Sequence, residues 1–146
     1  MPNSKKTTLF LVDDDAFFLK NLEIQFKETT DFLIHTFPTG EMCLENLALN
    51  PAIIILDYYL SGVDKKAING IETLDKIKAA NPAIAVVMLS AQDKIDIAVD
   101  CMHHHAFDYV VKSETAFVRL QKAIAGIERR SGVEGKGGDE GGGRGV

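Results

Sequence analysis

The chain has 146 residues, of which 46% are hydrophobic, and it carries a formal net charge of −5. This length and apolar content suit one globular domain with one continuous core. The negative charge, with no local run of Lys and Arg to offset it, argues against direct binding of nucleic acid. The longest apolar run, residues 83–89, is too short to cross a bilayer, and no signal peptide is recognisable, so we expect a cytoplasmic protein with no membrane partner.

Five short apolar runs predict β-strands, at residues 9–12, 32–37, 53–56, 83–89 and 109–111. Between them, apolar side chains recur every three or four positions, as they do on one face of a helix. These residues are Phe18, Leu22 and Phe26, then Ile71, Leu74 and Ile77, then Phe117, Leu120, Ile124 and Ile127. The alternation predicts a single α/β domain of five βα units, with a parallel sheet covered by helices on both faces.

The last part of the chain differs in composition from the rest. We expect the domain to span residues 1–130. Residues 131–146 include eight glycines, so we expect a flexible glycine-rich tail, part of which a cloning vector could have contributed.

The two cysteines, Cys43 and Cys101, are expected to be buried thiols rather than a disulfide, as in a reducing compartment.

Polar residues with useful chemistry follow the predicted strands. They are Asp13, Asp14 and Asp15 after the first strand, Asp57 after the third, Ser90 after the fourth and Lys112 after the fifth. Ligands of open parallel sheets bind at the carboxyl ends of the strands, so these side chains should converge. Clustered carboxylates repel one another unless a hard divalent cation such as Mg²⁺ or Mn²⁺ lies among them. Asp57, alone at its strand end, is the candidate nucleophile towards phosphorus, and Lys112 would neutralise phosphoryl oxygens.

Each of these residues also has a structural interpretation. An Asp run after a strand often caps the following helix, because carboxylates accept hydrogen bonds from free helix amides. A lone Asp, Ser or Lys after a strand is commonly structural or incidental. Their combination at one edge of the sheet is what favours a phosphate and metal site.

Four segments taken in order resemble the signature of receiver domains of two-component response regulators. They are Leu-Val-Asp-Asp-Asp at residues 11–15, Ile-Ile-Ile-Leu-Asp at 53–57, Met-Leu-Ser-Ala at 88–91 and Tyr-Val-Val-Lys at 109–112. The resemblance covers about residues 7–128. It implies a flavodoxin-like, doubly wound (βα)5 sheet with strand order 2-1-3-4-5, in a stand-alone protein similar to the chemotaxis receivers.

The resemblance also implies a role for each site residue. Asp57 would be phosphorylated by a histidine kinase or a phosphotransfer protein, and Lys112 would contact the phosphoryl group. Asp14 and Asp57 would bind Mg²⁺ through their side chains, Asp13 largely through water, and Tyr59 through its backbone carbonyl. Such a protein is not an enzyme on other substrates, since it catalyses only its own phosphorylation and dephosphorylation.

A switch is implied as well. Ser90 would move towards the phosphoryl group, and the ring of Tyr109 would enter the space that Ser90 leaves. The face that changes would be formed by residues 94–102, 108–111 and 114–128, that is, the fourth helix, the fifth strand and the fifth helix. A downstream protein or a second copy of the chain would bind there.

The sequence departs from the family pattern at three places. The segment of residues 60–69 is longer than usual and has Ser61 where proline is normal. Ser113 replaces the proline that usually follows the lysine, which puts a cis peptide there in doubt. Residues 103–105 are all histidine at the end of the fourth helix, where glycine is more usual; we expect solvated or helix-terminal side chains rather than a metal site.

Two other functions compete with this interpretation. An aspartyl-nucleophile, Mg²⁺-dependent phosphatase would carry a second Asp two positions after the nucleophile, where this chain has Tyr59. A flavodoxin-like flavin binder would need a Ser-, Thr- and Gly-rich loop after the first strand, and the Asp run would repel the flavin phosphate.

Overall fold

Strands and helices alternate along the chain as the sequence predicts. The computed structural model describes residues 6–60 and 69–136, with side chains up to residue 130. The strands are β1 Thr8–Val12, β2 Leu33–Phe37, β3 Ile53–Asp57, β4 Ala85–Ser90 and β5 Asp108–Val111. The helices are α1 Ala16–Thr29, α2 Gly40–Glu45, α3 Gly70–Ala80, α4 Ile95–His103 and α5 Ala116–Lys136, with a short 3₁₀ turn at Leu47–Leu49 after α2.

The five strands form one parallel sheet in the order β2-β1-β3-β4-β5. The predicted fold class and strand order are therefore confirmed. The chain reverses its direction of travel across the sheet between β1 and β3, which are hydrogen-bonded neighbours. Such a reversal leaves a crevice outside the carboxyl ends of the two strands, because their following helices lie on opposite faces.

The core has two layers, one on each side of the sheet. Alternate strand residues point to opposite faces, so Leu9 packs with α1 and α5 while its neighbour Phe10 packs with the helices on the other side. The first layer contains Leu22, Phe26, Leu120, Ile124 and Ile127. The second contains Cys43, Leu74, Ile77 and Cys101. The predicted helix stripes therefore belong to the core, and the middle residues of the central strands are apolar because both faces of the sheet are covered.

Side-chain caps set where the helices begin. Asp15 accepts hydrogen bonds from the first amides of α1, and Thr39 does the same for α2. Asn69 and Glu72 form a reciprocal capping box at the start of α3. The predicted strand at residues 83–89 instead begins at Ala85, because the Asn81 carboxamide oxygen accepts the Ala83 N–H at 3.0 Å and holds a turn there.

Several other predictions can be compared with the described residues. Cys43 and Cys101 are buried free thiols, and burial raises their pKa to about 12 and about 11 respectively. The Lys112–Ser113 peptide is trans, as are all those in the described ranges. Helix α5 continues to Lys136, past the expected start of the tail; the domain boundary stays a prediction, and residues 137–146 lie outside the description. Residues 61–68 of the lengthened segment, with Ser61, also lie outside it.

No helix in the described ranges is both long and apolar enough to span a membrane.

The three consecutive histidines at the end of α4 have three different environments. His103 is the last residue of the helix, and His104 is its carboxyl-terminal cap. The ring Nδ1 of His104 lies 2.7 Å from a carboxylate oxygen of Asp75 in α3. The hydrogen bond with Asp75 raises the pKa of His104. His105 has φ 75, a left-handed conformation, while the His105 N–H bonds to the Met102 carbonyl and the Ala106 N–H to the Cys101 carbonyl. This hydrogen-bond pattern is a Schellman motif, whose left-handed residue is normally glycine.

The Schellman motif gives a stability prediction. His105→Gly should raise the free energy of unfolding by about 0.5–1 kcal/mol, because a side chain with Cβ is strained at positive φ. His103→Gly is the matched control: it lies within the helix and should lower the free energy of unfolding by roughly 0.5 kcal/mol. Urea titrations of both variants measure the difference, and a loss of stability in His105→Gly would contradict the assigned strain.

Candidate phosphoacceptor and metal site

The predicted acidic residues meet at the crevice between β1 and β3. Asp13 follows β1 and Asp57 is the last residue of β3, and both are almost fully buried. Carboxylate oxygens of Asp13, Asp14 and Asp57 all lie within 4.8 Å of one another. The structure therefore brings together three of the four acidic side chains that the sequence singled out, while the fourth, Asp15, caps α1.

Lys112 reaches this cluster from the end of β5. Its Nζ lies 2.9 Å from Asp13 Oδ2 and 3.5 Å from Asp57 Oδ1. Burial by itself would lower the pKa of Lys112, but the contacts with Asp13 and Asp57 outweigh burial and raise it. Lys112 therefore stays an ammonium and holds positive charge between the two carboxylates.

One ammonium does not fully compensate the two buried carboxylates. The pKa of Asp57 rises from 3.8 to about 7, first because burial removes water and then because Asp13 repels the ionised form. Lys112 and the backbone N–H of Tyr59 act in the opposite direction and favour the carboxylate. Because burial is the larger cause and repulsion by Asp13 adds to it, a further positive charge beside Asp57 would favour the ionised carboxylate.

The donor set fits a hard divalent cation. Asp13 Oδ1 accepts the Asp15 N–H at 2.9 Å, whereas Asp13 Oδ2 is buried without a hydrogen bond of normal geometry, although it lies at ion-pair distance from Lys112. Because the contact between Lys112 Nζ and Asp13 Oδ2 does not have hydrogen-bond angles, this oxygen stays available to a cation or to a water molecule bound to a cation. Carboxylate oxygens at this spacing are the ligands that Mg²⁺ and Mn²⁺ prefer.

The two predicted switch residues are joined through one backbone unit. Ser90 is the last residue of β4, and its buried Oγ accepts the Gln92 N–H at 3.0 Å. The Tyr109 hydroxyl donates to the Gln92 carbonyl, and its ring packs partly buried against the α3 and α4 side of the sheet. Movement of Ser90 towards Asp57 would therefore disturb the acceptor of Tyr109.

Two residues at the site were not anticipated from the sequence. A Cβ on Gly70 would lie 2.5 Å from the carbonyl oxygen of Asp57, so only glycine permits this approach of α3 to β3. The ring of Phe18 lies 4.7 Å from Lys112 Nζ, a cation–π distance. Phe18 could have been found, because a residue three after the cap Asp15 stands on the first turn of α1, at the carboxyl edge.

Comparison with known proteins identifies the family to which the chain belongs. The family model for the response regulator receiver domain matches residues 9–125, so the chain belongs to that family and is a phospho-acceptor signalling domain. MalR, a transcriptional regulatory protein of Bacillus subtilis, is 28% identical over 124 residues, which is 85% of this chain and 45% of that protein. The Bacillus licheniformis protein-glutamate methylesterase/protein-glutamine glutaminase is 34% identical over 107 residues, 70% of this chain and 28% of its own length.

Solved structures agree on the fold. A receiver domain of a putative Luxo repressor protein from Vibrio parahaemolyticus superposes with a TM-score of 0.76 at 23% identity, covering 89% of this chain and 95% of that one. The BeF3-activated DrrB receiver domain gives 0.69 at 23% identity, covering 83% and 99%. This chain spans less than half the length of the curated relatives just described.

The shifted pKa of Asp57 predicts how stability depends on pH without metal. A carboxyl whose folded pKa is raised costs stability above its unfolded pKa, and the full cost is reached above the folded pKa. Asp57→Asn should therefore stabilise the metal-free protein by about 1–3 kcal/mol near pH 8.5 and by little near pH 4. Urea unfolding in EDTA across this range measures it, and a difference that does not change with pH would contradict the assignment.

Proposed function

We propose that this chain is a signalling switch that takes a phosphoryl group on Asp57 from the phosphohistidine of a histidine kinase or a phosphotransfer protein. The observation that carries the proposal is the buried Asp57 carboxylate beside Asp13 and Asp14, with Lys112 Nζ 3.5 Å away. This arrangement supports Asp57 as the nucleophile towards phosphorus, and the nearby ammonium could neutralise the phosphoryl oxygens.

In the proposed reaction, an Asp57 oxygen attacks phosphorus, a P–O bond forms, and the P–N bond to the donor histidine breaks. Lys112 moves from its contacts with the carboxylates to the phosphoryl oxygens, so that its charge follows the transferred group. Asp14 and Asp57 would hold Mg²⁺ or Mn²⁺ by their side chains, Asp13 through water, and Tyr59 by its carbonyl. When bound, the cation supplies the positive charge that the carboxylates lack.

The alternative of a phosphatase has less support. A hydrolase acting on many substrate molecules would need an acid and base near the nucleophile, and two positions after Asp57 the chain has Tyr59. Tyr59 is half exposed, with its ring edge-on to Tyr58 at 4.8 Å, and it is a poor proton acceptor. We therefore propose that the chain catalyses only its own phosphorylation and dephosphorylation.

A phosphoryl-uptake experiment tests the proposal. With Mg²⁺ and acetyl phosphate, intact mass should show one phosphoryl group per wild-type chain, and none in Asp57→Asn, because the amide keeps the shape but is not a nucleophile. Asp14→Ala should lower uptake at limiting Mg²⁺ and recover at high Mg²⁺, since a direct ligand is lost. Unchanged stoichiometry in Asp57→Asn would rule out this acceptor, and multiple turnover of donor by the wild type would favour the phosphatase.

We further propose that the output surface is formed by α4, β5 and α5. Helix α4 exposes apolar side chains at positions i, i+4 and i+7: Ile95 is 82% exposed, Val99 45% and Met102 46%. Such a stripe on an otherwise charged surface is typical of protein contacts. A downstream protein or a second copy would bind here, in the cytoplasm and without direct contact to nucleic acid. Since relatives such as MalR are longer, the stand-alone arrangement and the boundary at residue 130 remain part of the proposal.

The link from Ser90 to this surface can be tested through Tyr109. Beryllofluoride, which imitates the acyl phosphate, should shift amide resonances at the site and also along α4 and β5 in the wild type. Tyr109→Phe removes the bond to the Gln92 carbonyl, so the shifts along α4 should shrink to less than about half while those at Asp57 remain. Tyr59→Phe is the matched control. Equal shifts in Tyr109→Phe and wild type would show that the coupling does not use this hydroxyl.

A further inference from the structure

A cavity of about 580 Å³ lies at the edge of the sheet opposite Asp57. It is bounded by the last turns of α3 and α4, by Ile127 and Arg130 of α5, and by the chain entering β4. Its floor is apolar and buried, formed by Ile84, Ala106 and Ile127. Its volume falls in the range of cavities that bind small organic molecules, and its lining combines polar side chains with this apolar floor.

Three basic side chains surround this floor. Lys78 comes from α3, His105 from the residues after α4, and Arg130 from α5. The lining contains no acidic residue, and within the part of the chain that the structure describes, no carboxylate lies at ion-pair distance from any of the three. This cluster of basic side chains contrasts with the net charge of −5 of the whole chain.

The basic groups keep capacity for a ligand. Lys78 Nζ donates to the carbonyls of Ile84 at 2.6 Å and Pro82 at 3.2 Å, which leaves the third proton of the ammonium. Arg130 lies over the ring of Phe107 with its guanidinium carbon 5.5 Å from the ring centroid, and this contact uses its face and not its N–H groups. The N–H edge of Arg130, whose position is fixed by the contact with Phe107, is suited to bind two oxygens of one anionic group.

Helix-end chemistry accounts for each basic residue taken singly, but not for the meeting of all three at one cavity. Basic residues near helix carboxyl ends commonly do no more than complement the helix dipole, and Lys78 alone would fit that description. His105 instead occupies a left-handed position, φ 75, that glycine would fill with less strain. The Schellman motif accounts for this backbone, but a glycine there would leave the cavity without the imidazole that His105 contributes to its lining.

We propose that the cavity binds a small organic anion with an apolar body, whose carboxylate, sulfonate or phosphate group contacts Lys78, His105 and Arg130. The apolar body lies on Ile84, Ala106 and Ile127. Beyond Ile127 the floor continues into a neighbouring cavity of about 310 Å³ lined by Asn50, Asn81 and Glu128. Because Glu128 would repel an anion, the charged group is at the Arg130 end. The site is separate from the carboxyl edge and does not depend on phosphorylation of Asp57.

Fluorescent probes test this site on the full chain. Anilinonaphthalene sulfonate combines a sulfonate with an aromatic body, and phenylnaphthylamine has nearly the same ring system without the charge. We expect the sulfonate to bind saturably, one per chain, and the neutral probe at least about fivefold more weakly. Failure of the sulfonate to saturate, or equal affinity for both probes, would overturn the proposal.

Paired substitutions locate the binding. Arg130→Gln and His105→Gly should each raise the Kd of the sulfonate about five- to tenfold. Arg129→Gln and His103→Gln, which alter neighbours outside the lining, should leave it within about twofold. His105→Gly is informative because it is expected to fold more stably, so weaker binding could not come from unfolding. If the control variants lose as much affinity as their partners, the cavity is not the site.

Discussion

The electrostatic conflict at the carboxyl edge of the sheet is the interaction on which the rest of the site depends. Asp13 and Asp57 are buried next to each other, and Lys112 is the ammonium that contacts both. Coulomb repulsion between two such groups is strong where water is excluded. Lys112 brings one positive charge to this pair, so a cation held by the carboxylates would add the charge that the proposed phosphoryl transfer requires.

The fold maintains this conflict because each charged group stands on a rigid element. The four apolar residues before Asp57 are buried on both faces of the sheet, and Gly70 allows α3 to approach the Asp57 backbone closely. Asp15 fixes the first turn of α1, which places Phe18 against Lys112. Packing and capping therefore hold the carboxylates close together, and their repulsion is offset by apolar burial elsewhere in the core.

The two edges of the sheet differ in charge for a topological reason. In a parallel sheet every helix begins near the carboxyl edge and ends near the amino edge. Acidic side chains at the first edge can cap helices, as Asp15 does, and basic ones such as Lys78 collect at the other. The acidic site and the basic cavity are thus separated by the length of the strands, and each can hold its own ligand without direct contact.

Local sequence determined the elements and the identity of the acidic cluster. Strands and helices can be predicted from the spacing of apolar residues along the chain. The carboxyl ends of parallel strands lie at the same edge of the sheet, so the proximity of Asp13, Asp14, Asp57 and Lys112 could be predicted from the sequence. The tertiary structure decided what depends on distant contacts: the start of β4 at Ala85, the Gln92 link between Ser90 and Tyr109, and the contact of Phe18 with Lys112. It also decided the convergence of Lys78, His105 and Arg130, because residues far apart in sequence meet only when the helices pack.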